Sequence, residues 1–533
     1  MGGKPPGRKP SLRESEVAKK GEHELMRGIL SRCKGRNALE LKFSGYRIVL
    51  ILAAPVLLTT ACMVGPKYQR PTAPVPSAYK EQPPPSTPQA LNWNPAQPND
   101  GAARGKWWEI FNDPQLNALE DQVNISNQNI LAAEAQFRAA GDAVRIARSG
   151  LFPTATANVI YTNSRTSSTL FNVTAGNLTS GQRTIYNLPV DISYQADLWG
   201  SIRRSVRGSA ESAQATAAQL ENVRLAFQAA LAQDYFELHG VDGERALLEQ
   251  TVNSYQQYLQ LTKDRQASGV ASGGDVAQAE TQLKTAQAQL IDLGVARAQF
   301  EHAIAILTGK PPADVTVPAQ PITSQPPEIP AGIPSDLLQR RPDIAAAERQ
   351  MAVVNEQIGI AKAAFFPSLL LTGSVGLESG RIADWFTWPS HIWSVGPQVA
   401  ETIFDAGRRH AQSDLARADF DVSVASYRQT VLTAFQQVED NLAALRILAD
   451  ETRTEDDAIK AAQESLDVAT YQYKAGVTSY LQVITAQTFV LQDKLTSVNL
   501  HTRRMASSVL LIEALGGGWN ASSLPTIQQL TRK

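Results

Sequence analysis

Cysteine is scarce: the 533 residues hold only 2. That excludes a disulfide-stapled scaffold, and the lack of any CxxC pair excludes a zinc ribbon. Charge of one sign is missing too, because 50 Lys and Arg nearly balance 51 Asp and Glu. A nucleic-acid binder needs a basic surface, so no nucleic-acid partner is expected. The apolar run 48–58 is far shorter than the ~20 residues of a transmembrane helix. Catalytic signatures are absent as well. There is no HExxH, GxSxG, P-loop or GxGxxG. His239, His302, His391, His410 and His501 include no i, i+4 pair for a metal. Neither enzymatic activity nor a metal or other cofactor is expected.

The near-zero charge has two parts. Residues 1–61 hold 12 basic and 5 acidic residues, a surplus of +7, and the remainder carries −8. The basic head reads as a signal peptide. Lys42 and Arg47 precede the apolar run, which ends at Leu58-Thr59-Thr60-Ala61-Cys62. Met26 offers a second start that would give a signal of ordinary length, with residues 1–25 outside the translated chain. A small residue before a cysteine, directly after such a run, resembles a bacterial lipoprotein signal. The resemblance makes Cys62 the lipidated first residue of the mature chain. Cys33 would leave with the signal. The acidic body suits a conduit that admits cations, and it suits plain solubility equally well.

Two Pro-rich stretches punctuate the body. Pro66 to Pro98 carries ten prolines and Pro311 to Pro342 nine. Between and after them run helical patterns. Val276, Ala279, Leu283, Ala286, Leu290, Leu293, Phe300, Ile304 and Leu307 keep a heptad seam, interrupted by Arg297. A second seam runs from Ile484 to Ile512. Residues 201–265 predict one long helix with a break near Gly240–Gly243. Short alternating runs at 154–161, 188–198, 368–378 and 393–403 predict strands. Their lengths suit tilted strands crossing a bilayer. Tyr161, Tyr194, Trp199, Trp385, Trp388 and Trp393 lie at strand ends or in the joining segments, where interfacial aromatics belong.

The plan repeats. Ser268-Gly269-Val270-Ala271-Ser272 returns in register as Ala475-Gly476-Val477-Thr478-Ser479, and Phe152-Pro153 returns as Phe366-Pro367. Such self-similarity predicts two halves built alike. Four strands cannot close a barrel, and an open sheet in lipid would leave backbone groups unpaired. Membrane-spanning strands of this kind therefore demand an oligomer. Asp197-Leu198-Trp199-Gly200 and Phe404-Asp405-Ala406-Gly407 read as structural strand-to-helix transitions.

Four motifs carry a family resemblance. They are Cys62-Met63-Val64-Gly65-Pro66-Lys67-Tyr68, Trp107-Trp108-Glu109-Ile110-Phe111-Asn112-Asp113-Pro114, Ile333-Pro334-Ser335-Asp336-Leu337-Leu338-Gln339-Arg340-Arg341-Pro342-Asp343-Ile344, and Phe404-Asp405-Ala406-Gly407-Arg408. In this order they resemble the TolC/OprM outer-membrane factor family, in its NodT-type lipoprotein branch. The resemblance implies an α+β membrane protein: a homotrimer whose four strands per chain form a twelve-stranded outer-membrane barrel above a periplasmic α-barrel. Its implied partners are outer-membrane lipid, a periplasmic adaptor (membrane fusion protein) and an inner-membrane RND transporter. The implied role is the exit duct of a Gram-negative tripartite efflux pump for drugs and other amphipathic molecules. A protein-secretion duct and a pore-free coiled-coil scaffold are the alternatives.

The corresponding organisation is a signal at 1–61, a lipidated linker at 62–105, a first repeat at 106–310, a linker at 311–332, a second repeat at 333–519 and a tail at 520–533. The resemblance assigns the adaptor-contacting tips to Gly269, Val270, Ser272, Gly476, Val477 and Ser479. It places the periplasmic aperture at Gln472, Tyr473, Leu481 and Thr485. Where relatives often carry a gating Asp, this chain has Thr485, so only weak block by divalent cations is expected. Leu481 packing and Tyr473 and Gln472 hydrogen bonds are expected to hold the gate.

Overall fold

The computed structural model describes residues 63–81, 105–165, 167, 182–329, 332 and 334–532, all within one compact unit spanning 61–533. The signal segment and Cys62 lie outside the described residues.

Helices dominate. After the short helices α1 (Pro114–Ser126) and α2 (Gln128–Ser149) come two long ones, α3 (Ser201–Ala267) and α4 (Gly273–Leu307). A four-residue α5 (Leu337–Arg340) precedes α6 (Pro342–Ala363), followed by α7 (Arg408–Lys474), α8 (Tyr480–Ala514) and the terminal α9 (Ile527–Arg532). Both α3 and α7 have 67 residues, and both α4 and α8 have 35. At 1.5 Å per residue the longer pair extends roughly 100 Å. Among the described residues no helix is long and apolar enough to cross a membrane.

The expected break at Gly240–Gly243 is not there, since α3 runs through it. The glycines serve packing instead. A Cβ at Gly240 would lie 2.4 Å from the Thr502 hydroxyl, so α8 can approach α3 this closely only against a bare backbone. Arg297, which interrupts the seam of α4, also has a purpose. It pairs with Asp242 of α3 at 2.8 Å and donates to the Val317 carbonyl, tying the linker to both helices.

The strands form one antiparallel sheet. Its segments are β1 (Thr154–Ala157), β2 (Ile160–Arg165), β3 (Gln182–Ala196), β4 (Ser368–Ser379) and β5 (His391–Ala400). The order is β1-β3-β4-β5, with β2 also paired to β3. β1 and β2 are one strand in register: Ala157 faces Val190, and Ile160, three residues on, faces Asn187, three residues back along β3. The interruption falls opposite Pro189, whose nitrogen has no hydrogen to donate, while Asn158 N–H still reaches the Pro189 carbonyl at 3.1 Å. The strand ends shift by one to three residues from expectation at β5 (His391–Ala400), the end of β3 and the end of β4, and by more at two others. The first strand continues to Arg165, and β3 begins at Gln182, inside a segment expected to be loop. Their polar composition hides the alternation, and cross-strand pairing supplies what the sequence signal lacks.

Residues 63–81 contain no helix or strand, yet they are held down. Arg204 donates to the Val64 carbonyl at 2.7 Å, Arg70 to the Tyr427 hydroxyl at 3.0 Å, and the Glu439 carboxylate accepts from Lys80 N–H at 2.7 Å. Tyr79 is buried.

Candidate functional site

The pairing register sorts every strand residue onto one of two faces. One face carries Ala155, Ala157, Tyr161, Tyr186, Leu188, Val190, Ile192 and Tyr194, continued by Leu369, Leu371, Val375 and Leu377, then Trp393, Val395, Pro397 and Val399, and turns polar at its loop end with Asn163, Arg165, Gln182, Thr184 and His391. The opposite face is mainly polar, with Thr154, Thr156, Thr162, Ser164, Asp191, Ser193, Gln195, Thr372, Ser374, Glu378, Ser394 and Gln398, and it also includes Ile160, Ile185, Leu370 and Ile392. Both faces are open in the single chain, and the apolar one stays uncovered along β5: Trp393 is 73% accessible, Val395 79% and Val399 68%. An apolar surface of that extent belongs against lipid or protein. Aromatics gather at both ends of the sheet. Tyr161, Tyr186 and Trp385 follow one another at 5.3 and 5.6 Å at the end of the sheet where β4 connects to β5. At the helix end Trp199 stacks on Phe366 at 4.6 Å and donates to the Pro367 carbonyl. Trp388, in the loop before β5, stacks on His391.

From the sheet the chain turns into α3 and α7 through left-handed Gly200 (φ 80°) and Gly407 (φ 86°). Asp197 accepts from the Ile202 and Arg203 N–H groups, and Asp405 from those of Gly407 and Arg409. Both acidic residues thus satisfy helix N-termini, as a structural reading requires.

At the far end each long helix reverses. Gly269 (φ 76°) and Gly476 (φ 77°) adopt the left-handed conformation that a side chain would resist. Val270 N–H donates to the Arg265 carbonyl at 2.8 Å, and Val477 N–H to the Gln472 carbonyl at 2.9 Å. Both valines project outward, 63% and 75% accessible. Ser272 forms a reciprocal capping box with Asp275. Ser479 sits at the same position before α8 without a side-chain cap.

The aperture residues separate into two sets. Gln472, Leu481 and Thr485 are exposed, and the Thr485 hydroxyl donates to the Leu481 carbonyl of its own helix at 2.9 Å. Leu481 borders a cleft of about 510 Å³ shared by α4 and α8. Tyr473 is buried inside the hairpin pair, its ring 5.2 Å from Tyr480, with Leu283 and Val483 in the same cluster. Burial raises the Tyr480 phenol above its ordinary range, so it stays neutral. The Tyr473 hydroxyl finds no hydrogen-bond partner among the described residues. Within the single chain Tyr473 instead makes a different contact. Arg265, which holds in the first hairpin the place Gln472 holds in the second, lies over the Tyr473 ring at 4.7 Å and donates to the Lys474 carbonyl at 3.1 Å. Sequence reasoning missed Arg265. The 207-residue offset between the hairpins pointed to it, but not to the direction of its reach.

Among the described residues no cluster of His, Cys, Asp and Glu could hold a metal. His239 is buried and engaged by Asp242, while His501 contacts the Ser324 carbonyl.

A sheet with one lipid-compatible face and one polar face, carried on helices of roughly 100 Å, defines the class of an outer-membrane channel with a long helical extension. The family model for outer membrane efflux proteins matches residues 119–310 and again 333–517, and the chain belongs to that family. It is 31% identical over 474 residues to the probable efflux pump outer membrane protein TtgC of Pseudomonas putida, covering 88% of this chain and 96% of that one. To outer membrane protein OprJ of Pseudomonas aeruginosa it is 31% identical over 471 residues, covering 86% and 94%. The solved outer-membrane channel OprN superposes with a TM-score of 0.77 at 28% identity, over 86% of this chain and 100% of that one. Efflux conduits are transport proteins rather than enzymes.

Proposed function

We propose that this protein is the trimeric outer-membrane exit duct of an RND-type efflux pump, passing amphipathic small molecules from periplasm to exterior. The observation that carries this reading is the sorting of the sheet into a largely apolar, uncovered face and a largely polar one. Among the described residues both edges of the sheet, β1/β2 and β5, have no further strand paired to them. In lipid each unpaired backbone group costs several kcal/mol, so copies must join edge to edge. The helices need neighbours too: Ile291 and Val295 of α4, and Leu415, Val422 and Val468 of α7, are exposed apolar residues. The equal helix lengths support two copies of one plan, and three chains would supply twelve strands.

The hairpin tips then form the periplasmic aperture and the adaptor surface. Supporting this are the outward Val270 and Val477 and the cross-hairpin contact of Arg265. The Thr485 hydroxyl, bonded to its own helix, offers no charged ring, so block by divalent cations should be weak. A lipid on Cys62 suits the start of the described chain, where Val64 N–H bonds the Trp199 carbonyl beside the sheet end.

Deletion of the gene followed by a drug, dye and detergent panel tests the role. Hypersensitivity restored by the intact gene is expected, and unchanged susceptibility across the panel would overturn it.

A further inference from the structure

The polar face of the sheet is sparsely charged. Among the described strand residues its charged ones are Arg183, Glu378 and Asp191. Arg183 and Glu378 lie toward the outer loops: Arg183 pairs with Ser164 next to the end of β2, and Glu378 with Asn187 next to the end of β4. Asp191 stands apart. It pairs with Thr156 on one side and Ser374 on the other, both neutral. Pro189 and Ser193 flank it on the same face of β3. Ser374 is midway along β4, so Asp191 sits at mid-height of the wall. No described residue forms an ion pair with it. Toward the helix end the polar face continues through Thr154, Ser193, Gln195, Ser368 and Gln398 without another charge.

We propose that Asp191 sets the ion preference of the barrel, a further inference that rests on the duct reading. In a closed barrel with its polar face inward, each chain contributes one uncompensated carboxylate at the same height. The resulting ring attracts cations and repels anions within the wall itself, as charged rings do in other pores. The body's overall surplus of negative charge need not face the pore, whereas this carboxylate does. Its influence follows the screening length, about 10 Å at 0.1 M salt and about 3 Å at 1 M. Amphipathic cations should therefore meet a favourable step in the barrel, and anions of equal size an unfavourable one.

The test uses the full-length protein reconstituted in planar bilayers under a KCl gradient, with heat-modifiable mobility on gels to verify assembly. The wild type should favour K⁺ over Cl⁻ at 0.1 M, and less so at 1 M. Asp191→Asn should lower the permeability ratio at 0.1 M by about twofold, and by less at 1 M where screening already mutes the carboxylate. Asp191→Lys should favour anions. Asp191→Glu should keep the wild-type ratio, which separates charge from shape. An Asp191→Asn channel that assembles, conducts and keeps the wild-type ratio would overturn this inference alone. A wild type that forms neither a heat-modifiable oligomer nor a conductance would overturn the duct reading, and the inference with it.

Discussion

At the scale of single residues, Glu120 carries the clearest stress. Its carboxylate on α1 is fully buried, and neither oxygen has a hydrogen-bond partner among the described residues. Burial, reinforced by nearby Asp121, raises its pKa well above the ordinary value near 4.5. A raised value means the folded chain binds more protons than the unfolded one once pH passes the ordinary value. The stability Glu120 contributes is therefore present in acid and falls as pH rises. Glu120→Gln should flatten that decline and raise the thermal midpoint at pH 7.5, read from melts between pH 4.5 and 8. Arg265 makes a second residue-scale case. Truncating it removes a cation–π contact worth about 0.5–1 kcal/mol and a carbonyl bond at the end of α7. If the tips form the aperture, Arg265→Ala should raise single-channel open probability without reducing the yield of assembled protein.

Between elements, the two halves solve one problem with different chemistry. Asn127 N-caps α2 and also donates to the Leu307 carbonyl at the end of α4, at 2.8 Å. In the second half Arg341 precedes α6 and donates to the Ala514 carbonyl at the end of α8, at 2.9 Å. A short helix is thereby set against the end of a long one in both halves. Left-handed Gly309 and Gly516 sit in the same two junctions. A Cβ there would lie 2.2 Å from the Ser126 carbonyl oxygen and 2.1 Å from that of Arg340. Gly309→Ala should lower the melting temperature by several degrees, because backbone rather than a flexible side chain must move. Asn127→Ala should cost about 1–2 kcal/mol through the lost cap and the bond it extends.

For the whole molecule, the separation of the sheet faces predicts opposite outcomes for adjacent substitutions. Val395 lies on the apolar face opposite Gly373, and Ser394 on the polar face opposite Ser374. An Arg facing lipid near mid-bilayer costs about 2–4 kcal/mol, whereas the pore face tolerates charge. Val395→Arg should sharply reduce heat-modifiable oligomer recovered from outer membranes, while Ser394→Arg should leave it near wild type. Equal recovery of both variants would count against the assignment of the faces.

Periodicity and punctuation were legible in the chain itself. The alternation at 188–198 determined which side chains of β3 share a face, because successive strand residues point oppositely whatever their neighbours. The heptad spacing determined the inner stripe of α4, and Gly269 and Gly476 determined where the long helices reverse. These are local consequences of backbone geometry. Tertiary structure alone decided what depends on partners far apart in sequence: the extension of β2 to Arg165 by pairing with Gln182, the continuity of α3 through Gly240 under Thr502, and the reach of Arg265 to Lys474. Each is a contact between segments from 17 to 262 residues apart, and no local spacing encodes which of many compatible surfaces will meet.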